Sequence, residues 1–528
     1  MPSIEPQAGS VELSHPLVTI VNDNSMSEDD PPRSGGFFQC VHAIVTPTRI
    51  FVEGPYHTQS NRVVRKYYEH RDNFILVEFR GENRMPFCGP LKVRVPSPFP
   101  SLAYIYHLDK ASDCSLVKQC FGKILKQGLE IAGRTFRSLG YSISGLQEHM
   151  VWFMSDFEHP EEGSVTPEKI LNGLGDFRSC INHPSKYAAS IAQAFSDTIP
   201  SCKIRAGQWT EEVVDLGTRP YEFTDGQGTI SIELRDQIWK VLCEVWPDKR
   251  RLVLKPSAFQ ICFLGYKGIV LVDEQLEGIH MKLRNSMKKF AVHNMAEAEI
   301  EIVKAFIEPG PAKLCRSLIL VLEDLGVCQE AFLRLQQHAT FTVTTGGYSL
   351  ESTTGLLRRH DLGNVYGLRW TIEHLQDAGM GMEGEQLRPE YIMDNRFIQR
   401  LIEFAQAHVL SEIKNDARIT IPNAFQLVGC ADEGPTYIAQ GHNPEDVLCL
   451  KDGEIFACVQ LPDTDEPIYL RGFVTISRSP YLHPGDVQRV WAIGKPLEND
   501  KRLCFFRNLR NVVVMPSIGK LAGSDVDG

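Results

Sequence analysis

Hydrophobic and polar residues change rhythm several times along the chain. Up to about Gly36 there is no sustained apolar pattern, and Ser, Pro, Asn, Asp and Glu dominate, a composition unable to bury a core; residues 1–36 therefore read as a disordered tail. From Phe37 the apolar runs Val41 to Ile50, Phe74 to Phe79 and Leu91 to Val95 predict strands, and the stretch around Ser185 to Asp197 has helical spacing. Residues 37–217 thus form a mixed α+β domain. Short β-type runs follow at Thr229 to Glu233, Arg251 to Leu254, Phe259 to Phe263 and Gly268 to Asp273, punctuated by Gly226, Gly228, Gly265 and Gly268, the signature of a small barrel over 218–295. Helical spacing takes over from about Ala296 to Ile413, where Phe397, Leu401, Phe404 and Ala405 share one apolar face; this predicts a helical connector over 296–415. Beta patterning returns at Arg418 and runs through Ile455 to Gln460, Ile468 to Ile476, Val487 to Ile493 and Asn511 to Met515, so that a second β unit occupies 416–528. Two β units flanking a helical block fit a duplicated barrel.

Charge narrows the chemistry. Across 528 residues the net charge is −11, so any nucleic-acid site is a local basic patch on an acidic body. No stretch has the roughly 18 to 20 uninterrupted apolar residues of a membrane helix, and the start lacks a secretory pattern, so a soluble, intracellular protein without a membrane partner is expected. The 14 cysteines are scattered, with no Cys-x-x-Cys and no His-Glu-x-x-His, which argues against disulfide scaffolding and zinc; if a metal is present, a hard, oxygen-liganded one is expected. Gly379, Gly381 and Gly384 have dinucleotide-fingerprint spacing, but helix-like sequence precedes them where a strand is required.

Two Asp-x-Asp pairs stand out. Asp463 and Asp465 lie in a proline-bounded polar loop, a solvated turn. Asp525 and Asp527, followed by Gly528, can aim several oxygens at one hard cation, with an acidic terminal turn as the plain alternative. Basic residues gather elsewhere. Lys249, Arg250, Arg251 and Lys255 flank one strand, Lys267 sits in a glycine turn, and Lys282, Arg284, Lys288 and Lys289 crowd ten residues that contain no acid. These are either solvated faces or a phosphate-binding cluster. A basic cluster together with an acidic metal motif reads as phosphoryl or nucleotidyl transfer.

A series of blocks resembles the eukaryotic RNA-dependent RNA polymerases of RNA silencing. In order they are Thr46 to Pro55, Ser60 to Lys66, Glu130 to Phe136, Leu139 to Ser142, Gln193 to Ser196, Phe223 to Ser231 and Phe259 to Gly268. They continue with Met287 to Phe290, Leu322 to Gly326, Ile421 to Asn423, Gly429 to Glu433, Ser477 to Asp486 and Ser524 to Gly528. The resemblance implies a core of two double-psi β-barrels, the second incomplete, that copies single-stranded RNA into double-stranded RNA in small-interfering-RNA pathways. By the same resemblance, Asp525 and Asp527 match the first two positions of the Asp-x-Asp-Gly-Asp loop that binds the Mg²⁺ cofactor, and the third aspartate falls one residue past Gly528. Lys267 and Lys289 are the implied catalytic cations; Lys288, Arg284, Arg478 and Lys255 are implied contacts to RNA or nucleotide. An RNA template, nucleoside triphosphates and silencing-pathway proteins are the implied partners. A catalytically inactive, truncated RNA-binding remnant and a DNA-templated polymerase are the alternatives that remain open.

Overall fold

Alternating apolar side chains build the first sheet of the computed structural model, which describes residues 17–20, 36–82, 84, 114–178, 180–218, 221–245, 254–292, 295–347, 349–360, 382–383, 386–387, 394–461 and 466–517. The expected single run Val41 to Ile50 is instead a hairpin. Strand Phe37–Val45 turns at Thr46 and pairs antiparallel with Arg49–Gln59. The reason is local: the Thr46 hydroxyl accepts the Arg49 N–H at 3.0 Å, and Pro47 has no N–H to give a ladder. Phe74–Phe79 forms as expected, and with Met150–Met154, Arg134–Gly140 and Leu129–Ile131 completes one side of a seven-stranded sheet. The tail expectation is corrected at Leu17–Ile20, a strand parallel to Arg49–Gln59. The segment around Leu91 to Val95 lies outside the described residues. The helix read around Ser185 forms at Pro184–Ala194, with proline at its first turn.

A second seven-stranded sheet occupies the middle of the molecule. Its order is Ile199–Arg205, Glu297–Ala305, Ala258–Phe263, Tyr266–Val272, Gln227–Ile230, Met281–Arg284 and Trp209–Val213, with parallel pairs among antiparallel ones. It draws strands from both sides of the 218–295 segment. The stretch beginning near Ala296 is therefore a strand before it is a connector, and helix starts only at Arg316–Asp324. The run Thr229 to Glu233 also differs from expectation, because the strand ends at Ile230 and helix Ile232–Val245 follows. The Ser231 hydroxyl accepts the Leu234 N–H at 3.2 Å, an N-cap that sets the boundary.

In the helical segment, Gln329–Thr345 and Arg396–Asp416 pack together. The apolar face expected at Phe397 and Phe404 points outward, with the two rings 68% and 73% exposed, while Ile398, Ile402, Val409 and Ile413 are buried. Both stripes have helical spacing; the β-branched one meets Val343 and Leu356 and takes the interior. The third sheet, six-stranded, contains Val428–Ala431, Val512–Met515, Glu454–Val459, Val487–Ile493 and Arg471–Ser477 in order, with Ile468–Tyr469 beside Glu454–Val459. One apolar cluster joins it to the middle sheet: Ile230, Phe259 and Met281 share a core with Cys430, Phe456 and Val514.

Candidate functional site

The lysines converge on one hairpin tip. Ala258–Phe263 and Tyr266–Val272 are joined by Leu264 and Gly265, both at positive φ (44° and 83°), the geometry of a two-residue primed turn. A Cβ at Gly265 would lie 2.3 Å from the Phe290 carbonyl oxygen, so only glycine fits. Lys267 follows the turn, and the segment carrying Lys288 and Lys289 crosses it: Tyr266 and Lys288 form a bridge, and the Lys289 N–H donates to the Gly265 carbonyl at 2.9 Å. Three ammonium groups are thus tethered within a few residues of one turn. The support behind them is apolar and dry. Phe290 packs at a tilt against Phe177, with centroids 4.9 Å apart, and the Gln193 side chain donates to the Tyr266 carbonyl at 3.1 Å.

A buried polar seam ties this tip to the third sheet. Gln227 sits in the strand beside Tyr266–Val272 and reaches across with its amide, accepting the Ala431 N–H at 2.7 Å and donating to the Ala431 carbonyl at 3.1 Å. In effect it is a side-chain strand partner. Arg284, four residues before Lys288, donates to Glu433 through both terminal nitrogens at 2.8 and 2.7 Å, each residue being 3% exposed. The same carboxylate accepts the Gln227 amide at 2.6 Å and the Thr436 hydroxyl at 2.7 Å. Burial works to raise the Glu433 pKa, but Arg284 and these donors hold it below the usual range. Asp215 accepts the Ser286 hydroxyl at 2.9 Å and the Thr224 hydroxyl at 3.0 Å, pinning the loop before Gln227 to the lysine segment.

Next to Glu433, burial pushes the Asp432 carboxyl up to about 7, although it accepts the Gly434 and Leu450 N–H groups at 2.9 and 2.8 Å. The Asp432 backbone meets the strand that continues toward the acidic motif: its N–H donates to the Met515 carbonyl at 2.9 Å, and its carbonyl accepts the Ser517 hydroxyl at 2.5 Å.

The expected site residues fall into five groups. Lys267, Lys288 and Lys289 come together. Arg284 corrects the expectation of a phosphate-facing guanidinium, because it is buried and its terminal nitrogens are held by Glu433. Lys255 lies at the opposite end of the six-residue strand, roughly 17 Å from the tip, paired with Asp236 at 3.0 Å on the surface. Arg478 is exposed just past strand Arg471–Ser477 in the third sheet. Asp525 and Asp527 lie outside the described residues, as do Asp463 and Asp465. Gln227, Asp432 and Glu433 drew no role from the sequence. Their signal was present: Gln227 opens a strand and Asp432 and Glu433 directly follow one, polar residues beside apolar runs, the pattern of a buried hydrogen-bonded group.

A family model described as RNA dependent RNA polymerase matches residues 45–528. The chain is 28% identical over 489 residues to the probable RNA-dependent RNA polymerase 1 of Oryza sativa subsp. japonica, covering 91% of this chain and 57% of that protein. It is 27% identical over 494 residues to RNA-dependent RNA polymerase 1 of Arabidopsis thaliana, covering 92% and 39%. Among solved structures, the RNA dependent RNA polymerase QDE-1 from Thielavia terrestris shares the fold with a TM-score of 0.60 at 18% identity, over 94% of this chain and 52% of that one. The chain therefore spans 39% to 57% of the two curated relatives named.

Proposed function

The chain belongs to the RNA-dependent RNA polymerase family, and we propose that it supplies the core of an RNA-directed RNA polymerase that copies single-stranded RNA into double-stranded RNA for silencing. The two β units that share one core are read as two double-psi β-barrels facing each other. Supporting this, each mixes parallel and antiparallel pairs, and each contributes one side of the seam at Gln227 and Glu433. RNA template and nucleoside triphosphates are the substrates, and silencing proteins are further partners.

In the reaction, a 3′-hydroxyl oxygen bonds to the α-phosphorus of the incoming nucleotide while the bond to the pyrophosphate oxygen breaks. The negative charge that develops on the phosphate oxygens is met by Lys267 and Lys289, with Lys288 beside them, on a tip held too rigidly to need reorganisation. Arg478 and Lys255 are read as contacts to the RNA or nucleotide path, and Arg284 as the brace behind the lysines. Two carboxylates one residue apart, Asp525 and Asp527, suit Mg²⁺ as hard oxygen donors, and among the described residues no other cluster of three or more His, Cys, Asp or Glu competes for it. When bound, that ion supplies neutralisation of the triphosphate and a more acidic hydroxyl nucleophile.

The observation that carries the reading is the convergence of three lysines on a tip that Gln227 fastens to Ala431, the strand partner of Met515. Asp525 comes eight positions after Ser517, which is tied to Asp432, a reach of at most about 28 Å. The test is incorporation of labelled nucleotides on a single-stranded RNA template with Mg²⁺ by the full-length natural protein that contains these residues. Asp525→Ala or Asp527→Ala is expected to lower incorporation by about 1,000-fold or more with RNA binding retained, and Lys289→Ala by about 100-fold. Absence of incorporation by folded wild type, with salt-sensitive RNA binding intact, would overturn the polymerase reading in favour of an inactive RNA-binding protein.

A further inference from the structure

The hairpin at the edge of the third sheet has an outer face that the reaction does not use. Arg471–Ser477 and Val487–Ile493 run antiparallel with Phe473 opposite Trp491 and Thr475 opposite Arg489, and Arg471–Ser477 is the edge strand. Side-chain alternation sends Val474, Ile476, Val490 and Ala492 inward onto Ile455 and Ala457. The opposite face holds Phe473, 63% exposed, and Trp491, 42% exposed. The two rings meet edge to face at 5.0 Å, and the Arg489 guanidinium lies over the Phe473 ring at 4.2 Å. Arg471 is exposed on the same face.

A solvated face of a sheet needs only polar residues, and two large aromatics on it mark a surface for something else. Its charge says what. On a chain of net charge −11, the two strands place two arginines and no carboxylate on this face, and exposed Arg478 follows directly. Two carboxylates flank the hairpin: Glu454, opposite Trp491, accepts the Lys451 N–H at 3.1 Å, and Asp486, just before Val487–Ile493 and within electrostatic reach of Arg478, accepts the Leu482 and His483 N–H groups at 2.7 and 2.8 Å. A flat surface of indole, phenyl and stacked guanidinium beside exposed arginines matches the needs of a single strand of nucleic acid, whose bases stack and whose phosphates pair with arginine. An apolar protein partner would use the rings but leave the arginines unpaired.

We propose that this face is a platform for single-stranded RNA, with Phe473 and Trp491 stacking on bases and Arg471 and Arg489 neutralising phosphates. The proposal rests on the polymerase reading and adds a strand-holding surface on a different sheet from Lys267 and Lys289. The test measures fluorescence anisotropy of labelled oligouridine on the full-length natural protein across a salt series, with thermal melts of every variant. The double substitution Phe473→Ala and Trp491→Ala is expected to weaken binding about ten-fold or more, with rescue by Phe473→Tyr and Trp491→Phe. Arg471→Ala with Arg489→Ala is expected to reduce the slope of log affinity against log salt by roughly 1.4. Variants that melt like wild type and bind with unchanged affinity and slope overturn the platform. So do variants that melt lower yet bind unchanged, the behaviour of a face covered by protein. If wild type neither binds RNA nor incorporates nucleotides, the polymerase reading itself fails; if it does both while the variants bind as wild type, only the platform fails.

Discussion

Two arginine–glutamate seams hold the molecule together, and they are built differently. At the first, between the amino-terminal domain and the middle sheet, Glu301 takes two cations: Arg62 at 2.8 Å and Arg65 at 2.6 Å. Those side chains remain 29% and 15% exposed, and Arg65 also donates to the Thr198 carbonyl and hydroxyl at 2.8 Å. At the second, between the middle and third sheets, Glu433 has a single cation, Arg284, plus two neutral donors, and both charged side chains are only 3% exposed. Further carboxylates crowd it: Asp432 alongside, and Asp273, which accepts the Tyr437 hydroxyl at 2.6 Å. The first seam gives its central carboxylate two cations and leaves both of them partly exposed. The second is acid-rich and more deeply buried, and it joins the lysine-bearing middle sheet to strand Val428–Ala431, the neighbour of Val512–Met515.

The sharpest way to break the contrast is Glu433→Ala, which leaves the buried Arg284 charge with the Gln227 carbonyl at 3.0 Å and the Asp215 carboxylate at 3.9 Å. It should cost about 3 to 5 kcal/mol in urea unfolding; a loss no larger than that at Glu301 would dissolve the distinction. The pH profile comes next. Asp432 has a folded pKa of about 7, above its unfolded value, so the stability it contributes is complete below about pH 4 and is lost as pH rises through 7. Glu433, held low, acts with the opposite sign, its contribution present above the ordinary carboxylate range and lost in acid. Melting should therefore weaken from pH 5 to 8 by at most about 4 kcal/mol, and Asp432→Asn should flatten that decline; a profile identical to wild type would remove Asp432 from the account. At the first seam, Glu301→Ala should cost only about 2 kcal/mol, because Arg62 can hydrate and Arg65 keeps its Thr198 bonds. Smallest of all, Lys255→Ala removes an exposed pair with Asp236 and should change stability by less than about 1 kcal/mol in the same assay.

Much of the fold was legible because strands and helices advertise themselves locally. Phe259 to Phe263, Ile455 to Gln460 and Val487 to Ile493 formed close to where alternation and β-branched composition put them. The misses share a cause. Glu297–Ala305 was read as the start of a helical stretch because Glu, Ala and Ile suit both states, and its pairing with Ala258–Phe263 and Ile199–Arg205 is long-range. Phe397 and Phe404 had the right spacing for a buried stripe but lost the interior to Ile398 and Ile402 one residue around the helix. At the site, the lysines were legible as a run without acids, whereas Arg284 belonged to that run by sequence and to Glu433 by geometry.

By itself the sequence determined the family, the order of the β, helical and β segments, and the residue types at the proposed site: carboxylates at 525 and 527 and lysines at 267, 288 and 289. Those properties are local or cumulative along the chain, so spacing and motif order carry them. Tertiary structure alone decided which charges face water and which are consumed inside. Gln227 meets Ala431 across 204 residues and Arg284 meets Glu433 across 149. Whether a guanidinium grips a phosphate or braces a sheet depends on what desolvates it, and desolvation is set by partners distant in sequence.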